Sequence, residues 1–231
     1  MSQVSKATEA DTPIRGPGTA ANARLLACGI AAGPLYVAVS LAQALTRDGF
    51  DLTRHAWSLL ANGSLGWIQV SNLVATGVLV IAGTVGLRRV LVPGLGSTWA
   101  PRMLAIYGLS LVGAGLFRAD PALGFPPGTP EEATTVSWHG VAHFLTGGVG
   151  FTCLVVACFV VARRFVADHR PGWAAYSRTI AVLFLAGFLA TAGAGGQAWA
   201  NLFFGAAILA AWSWLSLTMI HYRRVDHGTS R

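Results

Sequence analysis

Six long apolar segments, with charged residues only at their ends, constrain the fold of this chain more than any other feature. An α-helix needs about 20 predominantly apolar residues to cross the hydrocarbon core of a bilayer. We therefore predict six transmembrane helices, at about residues 25–45, 68–87, 101–118, 139–162, 177–196 and 199–221. The third segment is short, but the side chains of Arg102 and Arg118 at its ends can snorkel to the two interfaces.

The composition excludes the alternatives to a membrane protein. Charged residues make up 11% of the 231 residues, whereas a soluble domain has about 25%. The 54% apolar content excludes disorder, and three cysteines in a chain of this length exclude a disulfide scaffold. The predicted fold is all-α, an integral membrane six-helix bundle over residues 23–224.

The two chain ends are predicted to be cytosolic tails, flexible at residues 1–22 and short at residues 225–231. One alternative is that the first apolar segment is a signal peptide, since Ala42-Gln43-Ala44 fits an A-x-A cleavage pattern. The apolar run is longer than a signal h-region and follows a long polar leader, which favours an uncleaved first helix.

The basic residues predict the orientation of the bundle. The net charge is +7. With both termini cytoplasmic, only Arg47, Arg54 and Arg118 of the 16 Lys and Arg residues fall outside, which satisfies the positive-inside rule. The charge therefore reflects insertion into a cell membrane, where lipids are the partners, and not nucleic-acid binding. Gly29 and Gly33 form a GxxxG motif, which predicts close helix packing within the bundle or, alternatively, a homodimer contact.

Two loops are expected on the outer side. In the first, Leu52, Ala56, Leu59 and Leu60 recur at helical spacing, which predicts a short interfacial helix over the mouth of the bundle. Its tryptophan, Trp57, and Trp67 beyond it are residues typical of the headgroup region. The second loop is rich in proline and glycine between residues 121 and 130, which predicts a rigid, non-helical cap.

A pair of histidines follows the second loop. His139 and His143 are four residues apart, so they share one face of the fourth helix near its outer end. Together with Asp120 and His55 they supply the residue types of a zinc site with an open position for water. The alternative is that the two histidines form a hydrogen-bonded brace and that Arg118 pairs with Asp120, which would fix the loop. The motif lacks the glutamate of H-E-x-x-H, which excludes that class of metalloprotease.

Other polar residues on the outer side are candidates for catalysis or ligand binding. Ser58 is a candidate nucleophile because it lies three residues after His55. Polar side chains at the outer ends of three spans either line a pocket or act as interhelical hydrogen-bond partners. The residues expected to line an outward-facing polar vestibule are Arg54, His55, Trp57, Gln69, Asn72, Arg118, Gln197 and Asn201.

The outer-side residues also resemble those of a known family. The resembling stretches are Arg54–Leu60, Gly66–Gln69 with Asn72, Gly115–Pro121 with 124–130, and Ser137–Gly140 with His143. In combination they resemble the DUF998 family of bacterial and archaeal multi-span membrane proteins, and this resemblance implies a six-span helical fold. A looser similarity links the His, Asp and Ser types to ceramidase-like membrane hydrolases, although their order and placement differ.

Three functions are compatible with these features. The first is a non-enzymatic protein that binds or moves a small or lipidic molecule through the outer vestibule. The second is a zinc-dependent hydrolase acting on a lipid of the outer leaflet, with His139, His143, Asp120 and Ser58 as its catalytic residues. The third is a structural or partner-binding subunit of the membrane.

Overall fold

The computed structural model describes residues 17–132, 136–194 and 196–228, and in these residues the chain is helical, with no β-strand. The six α-helices are α1 (Pro17–Thr46), α2 (Gly66–Leu91), α3 (Trp99–Leu116), α4 (Trp138–Ala167), α5 (Pro171–Gly193) and α6 (Ala198–Gly228). A 3-10 helix, η1 (Trp57–Ala61), lies between α1 and α2. The predicted all-α fold is confirmed for this part of the chain.

The helices at both chain ends extend beyond the predicted spans. α1 begins at Pro17, inside the segment predicted to be a flexible tail. Proline is tolerated in the first turn of a helix because the N–H it lacks has no intrahelical acceptor there. α6 continues to Gly228, so the start of the predicted C-terminal tail is also helical. The rest of both predicted tails, residues 1–16 and 229–231, lies outside the described residues.

The helices pack as a closed ring in chain order. Each helix contacts the next one, α6 returns to contact α1, and α2 also touches α6. The ring has two ends. We call the end with residues 47–65, 117–132 and 136–137 the cap end, and the end where α1 starts and α6 finishes the terminal end. Asn22 near the start of α1 donates a hydrogen bond to Asp226 of α6, 3.1 Å away, which joins the two chain ends there.

Glycines bring neighbouring helices into backbone contact. A Cβ atom added to Gly77 of α2 would overlap the carbonyl oxygen of Gly108 in α3. Gly29 of the GxxxG motif is buried, and a Cβ there would lie 3.2 Å from the Cα of Gly83 and 3.1 Å from Cγ of Met219. Gly33 likewise faces α6. The motif therefore packs α1 against α2 and α6 of its own chain, and a homodimer through it would have to displace these contacts.

Aromatic side chains fill the interior of the ring. The ring centroids of Tyr36 in α1 and Tyr107 in α3 lie 5.2 and 5.8 Å from that of Trp212 in α6. On the opposite side, Phe151 of α4 packs edge-on against Phe184 of α5 and Phe204 of α6. Because these contacts connect helices across the ring, the middle of the bundle is a packed core.

Five helices are long and apolar enough to cross a membrane: α1, α2, α4, α5 and α6. Many apolar side chains on α4 and α5 are exposed, among them Phe144, Leu145 and Leu189. A soluble protein rarely exposes so much apolar surface on adjacent helices, so the chain is a multi-pass membrane protein. α3 has 18 residues and an arginine in its first turn, and it is not among the five.

The predicted interfacial helix in the first loop is corrected to a shorter, buried element. η1 starts only at Trp57, and its residues Trp57, Leu59, Leu60 and Ala61 are buried. Residues 52–54 form a turn, and residues 55 and 56 have no regular secondary structure. Asn201 of α6 donates to the carbonyl oxygens of Leu52 and His55, at 2.8 and 3.2 Å, which removes these acceptors from a continuous helix.

Candidate functional site

Phe125 is the anchor of the cap end. It lies in the second loop between Ala122 and Pro126, and it is fully buried. Its ring packs edge-on against Phe50 at 5.1 Å and against the imidazole of His55 at 5.4 Å. Because Phe50 and His55 belong to the first loop, this contact joins the two loops into one unit.

Arg47 braces the same unit from the end of α1. Its guanidinium donates hydrogen bonds to the carbonyl oxygens of Leu60 and Asn62, at 2.5 and 2.6 Å. The guanidinium carbon also lies 4.9 Å from the centre of the Phe125 ring, a cation–π contact. Asn62 in turn donates to the carbonyl oxygen of Ala119, 3.0 Å away. One cation thus fixes η1, the loop after it and the aromatic anchor.

His55 is a structural residue in this arrangement. It is 2% exposed, and both ring nitrogens are bonded to backbone groups. Nδ1 accepts from the N–H of Asp51 at 2.8 Å, and Nε2 lies 2.9 Å from the carbonyl oxygen of Leu123. A neutral imidazole with its proton on Nε2 satisfies both bonds. Neither nitrogen is free to bind a metal or to activate Ser58.

Asp120 stabilises the start of α4. Its two carboxylate oxygens accept from Ser137, Oδ2 from the backbone N–H at 2.8 Å and Oδ1 from the hydroxyl at 2.5 Å. The Ser137 oxygen then accepts from the N–H of Gly140 at 3.1 Å, as the N-cap of the helix. These hydrogen bonds hold the pKa of Asp120 below its usual range. Gly140 is needed here, since a Cβ atom would overlap the carboxylate.

The two histidines of α4 have different environments. His143 is buried, and its Nδ1 lies 2.8 Å from the carbonyl oxygen of Phe117, the residue that ends α3. The bond requires a proton on Nδ1, so His143 fastens α4 to the end of α3. His139 is exposed and stacks on Trp138 with ring centroids 3.6 Å apart.

The predicted zinc site is not assembled. In residues 17–132, 136–194 and 196–228, no three His, Cys, Asp or Glu side chains are placed to hold a metal ion. His55 uses both nitrogens, and the Asp120 carboxylate is directed at Ser137. The predicted pairing of Arg118 with Asp120 is also wrong, because no ion pair of Arg118 occurs in the described part of the chain.

The amides on α2 bind α1 and do not line a vestibule. Gln69 is fully buried and accepts from Nε2 of Gln43 at 2.8 Å, while its own amide donates to Ser40 at 3.1 Å. Asn72 donates to Ser40 and to the carbonyl oxygen of Tyr36, both at 3.2 Å. Of the two alternatives considered for these residues, interhelical hydrogen bonding is the one observed.

Three further predicted site residues are also accounted for. Trp57, expected in the headgroup region, is buried and stacks on Tyr36 with centroids 6.0 Å apart, because η1 turns inward. Asn201 binds the first loop, as described above. Gln197 is exposed in the turn before α6, away from Gln69 and Asn72, and its carbonyl oxygen accepts from the first turn of that helix.

Arg54 of the first loop forms an exposed link to the second loop. Arg54 and Glu131 make an ion pair at 2.5 Å between the two loops, with 44% and 68% of their side chains exposed. Such an exposed pair contributes little to stability. Arg47 and Phe125, which organise the cap end, were not singled out from sequence; a lone arginine directly after an apolar span was the available signal.

After these assignments, a small set of polar groups at the cap end has no internal role. Arg118 and His139 are exposed, and Trp138 beside them is 66% exposed. The segment that contains Arg118 is joined to the start of α4, since Phe117 packs on Trp138 at 6.0 Å and Asp120 is bonded to Ser137. We call Arg118, Trp138 and His139 the cap rim. It combines a cation, an imidazole and an indole beside the exposed apolar face of α4.

Comparison with known proteins gives one match. The family model described as "Protein of unknown function (DUF998)" matches residues 30–221, which is most of the chain. No curated protein and no solved structure matches it. The matched range extends from α1 to α6 and includes both cap loops.

Proposed function

The chain belongs to the DUF998 family, and we propose that it is a six-span membrane protein that binds a lipidic molecule with an anionic headgroup at the cap rim. The observation that supports this most directly is the exposed stack of Trp138 and His139, on which Phe117, the chain neighbour of the exposed Arg118, packs. A cation and a ring N–H bind anionic oxygens, and an indole is favoured at the membrane–water interface.

The six-span topology is part of the proposal. α3 packs between α2 and α4 along the ring. We therefore expect α3 to cross the membrane together with these two neighbours. The cap end has Arg47, Arg54 and Arg118, whereas most other Lys and Arg residues lie at or near the terminal end. The positive-inside rule then puts the cap end outside and both termini in the cytoplasm of a bacterial inner membrane.

The surface below the cap rim suits a hydrocarbon chain. Val141, Phe144 and Leu145 follow His139 on α4 and are 46%, 69% and 67% exposed. An amphipathic ligand with its head at Arg118 and His139 would place its tail along this face. Burying apolar surface stabilises a complex by about 25 cal/mol per Å² when the surface is taken from water. In a membrane, other lipids already cover this face. The selectivity for one lipid must therefore come from its headgroup.

Binding is favoured over movement through the bundle. The interior has the aromatic cluster of Tyr36, Tyr107 and Trp212 across it. Further towards the terminal end, Trp214 is fully buried and donates to Ser177 at 3.0 Å, which closes the space between α5 and α6. These packed aromatic rings occupy the interior through which a path from one side of the membrane to the other would have to run.

The zinc hydrolase is the less favoured alternative, since its ligand set is not assembled and Ser58 has no free histidine beside it. Metal analysis of the purified protein distinguishes the two functions. Stoichiometric zinc that is lost in His139→Ala and His143→Ala would favour the hydrolase and overturn the binding proposal.

The direct test is lipid retention. Wild type, Arg118→Gln/His139→Ala and Arg54→Gln are purified in mild detergent, and co-purified lipids are quantified by mass spectrometry per mole of protein. We expect at least one acidic lipid to fall about tenfold in the double variant, as loss of charged hydrogen bonds implies. Arg54→Gln is the matched control, an exposed arginine at the same end. Equal lipid content in all three proteins would overturn the proposal.

A further inference from the structure

A second surface feature lies at the opposite end of the bundle. An open groove of about 540 Å³ is formed by the α4–α5 turn, the first turns of α5 and one residue of α6. Its lining residues are His169, Arg170, Pro171, Gly172, Trp173, Tyr176 and Leu217. None of them belongs to the cap rim.

The turn between α4 and α5 leaves the start of α5 open towards this groove. His169 has a left-handed backbone conformation, with φ of 54°, and the N–H of Arg170 donates to the carbonyl oxygen of Phe165 at 2.8 Å. α5 then begins at Pro171, and no side chain caps it. The first N–H groups of a helix lack intrahelical acceptors and have partial positive charge.

The charged side chains around the groove are predominantly cationic. His169 and Arg170 are exposed, and no carboxylate pairs with Arg170 in the described residues. The nearest acidic residue along the chain, Asp168, is already paired with Arg164 at 2.8 Å. Arg163, the residue before Arg164 in α4, is also exposed. An anion in the groove would meet uncompensated positive charge.

The other wall of the groove is aromatic and aliphatic. Trp173 is held by stacking on Phe165, with centroids 5.3 Å apart, and by His221 at 5.0 Å. Tyr176 is half-buried one turn further along α5, and Leu217 of α6 is 42% exposed beside it. The groove therefore has a cationic turn on one side, aromatic rings in the middle and an exposed leucine on the other side. This order suits a phospholipid, whose headgroup is anionic and whose tail is apolar.

We infer that this groove binds the headgroup of an acidic phospholipid from the leaflet at the terminal end. The phosphate lies against Arg170, His169 and the uncapped start of α5, the glycerol lies over Gly172 and Trp173, and an acyl chain follows Tyr176 and Leu217. This site depends only on the helices crossing the membrane, and it is independent of the function proposed for the cap rim.

Gly172 allows a test that keeps every charge in place. A Cβ atom at this residue would have no neighbouring atom within 4 Å, so the space in front of it is the groove itself. Gly172→Phe therefore adds a ring at the groove, with no neighbouring atom within 4 Å of the new Cβ. Arg170→Gln removes the cation, and Arg89→Gln is the matched control, an exposed arginine at the same end that does not line the groove.

The full-length protein is placed in nanodiscs of phosphatidylcholine with about 15 mole per cent phosphatidylglycerol, an acidic lipid of the kind that basic residues at a membrane surface attract. Bound phosphatidylglycerol is counted by native mass spectrometry. We expect the groove to retain one molecule in wild type and Arg89→Gln, and its occupancy to be about tenfold lower in Arg170→Gln and Gly172→Phe. Arg118→Gln/His139→Ala keeps this molecule, which separates the groove from the cap rim.

Three results would overturn the inference. One is equal phosphatidylglycerol retention in wild type, Arg170→Gln and Gly172→Phe. Another is an equal loss in Arg89→Gln, which would indicate general charge attraction. The third is competition by soluble glycerol phosphate at the same concentration as the lipid, which would identify a soluble phosphate site.

Discussion

The carboxylate of Asp120 accepts both the backbone N–H and the hydroxyl of Ser137, at 2.8 and 2.5 Å. Asp120 follows α3, and Ser137 is the N-cap of α4. A residue that sequence analysis assigned to a metal site is therefore a clamp between two helices. The same clamp joins the segment that contains Arg118 to the start of α4, where Trp138 and His139 lie.

Breaking this clamp is expected to destabilise the protein. Asp120→Asn exchanges an acceptor for a donor opposite Ser137, and Ser137→Ala removes the N-cap; each should lower the free energy of unfolding by about 1 to 2 kcal/mol. Because the two residues act on each other, the double variant should lose less than the sum of the single losses. Denaturation in detergent measures all three. Strictly additive losses would contradict the clamp.

The same clamp predicts a pH dependence. Ser137 binds the ionised carboxylate, so the pKa of Asp120 in the folded protein is lowered. The contribution of this group to stability is then fully present above the unfolded-state pKa of about 3.9, and it is lost as the pH falls through the lower folded-state pKa. The difference in Tm between wild type and Asp120→Asn should be constant from pH 7 to 5 and shrink below about pH 4. A difference that grows on acidification would contradict this assignment.

His55 should behave as a core residue and not as a ligand. His55→Ala removes a buried ring and leaves the N–H of Asp51 and the carbonyl oxygen of Leu123 without partners. We expect a loss of about 2 to 4 kcal/mol, visible as a lower Tm. Asp48→Ala, an exposed change in the same loop, should leave the Tm unchanged. An unaltered Tm in His55→Ala would show that the cap does not depend on this residue.

The helices were predictable from sequence because long apolar segments have few alternatives in a membrane. Each of the six predicted spans overlaps one observed helix, and the errors are at the ends, as at Pro17. The site was not predictable to the same degree. A histidine can bind a metal or lie in a core, and a tryptophan can lie at the membrane interface or in a core. Which role is observed depends on groups far away in sequence, such as the carbonyl oxygen of Leu123 that bonds His55.

The glycine contact between α2 and α3 predicts that two similar substitutions change the stability of the protein by different amounts. In Gly77→Ala the new methyl group would overlap the carbonyl oxygen of Gly108 and lie 2.8 Å from Val112, so the helices must separate. We expect a loss of about 1 to 3 kcal/mol. Gly148→Ala on α4 meets no atom within 4 Å, and it should change stability by no more than about 0.5 kcal/mol. Equal effects of the two changes would contradict the observed packing.

The passage of α3 through the membrane can be decided by cysteine labelling. In a variant without the three native cysteines, single cysteines replace Asp48, Leu95 and Glu132, which are exposed in the connections before α2, before α3 and before α4. A membrane-impermeant maleimide added to intact spheroplasts should label the first and third and leave the second unlabelled until the membrane is permeabilised. If α3 did not cross, positions 95 and 132 would lie on the same side and react alike. If position 95 alone were labelled, the terminal end would face outwards. The bundle would then be inverted relative to the proposed orientation, against the positive-inside rule.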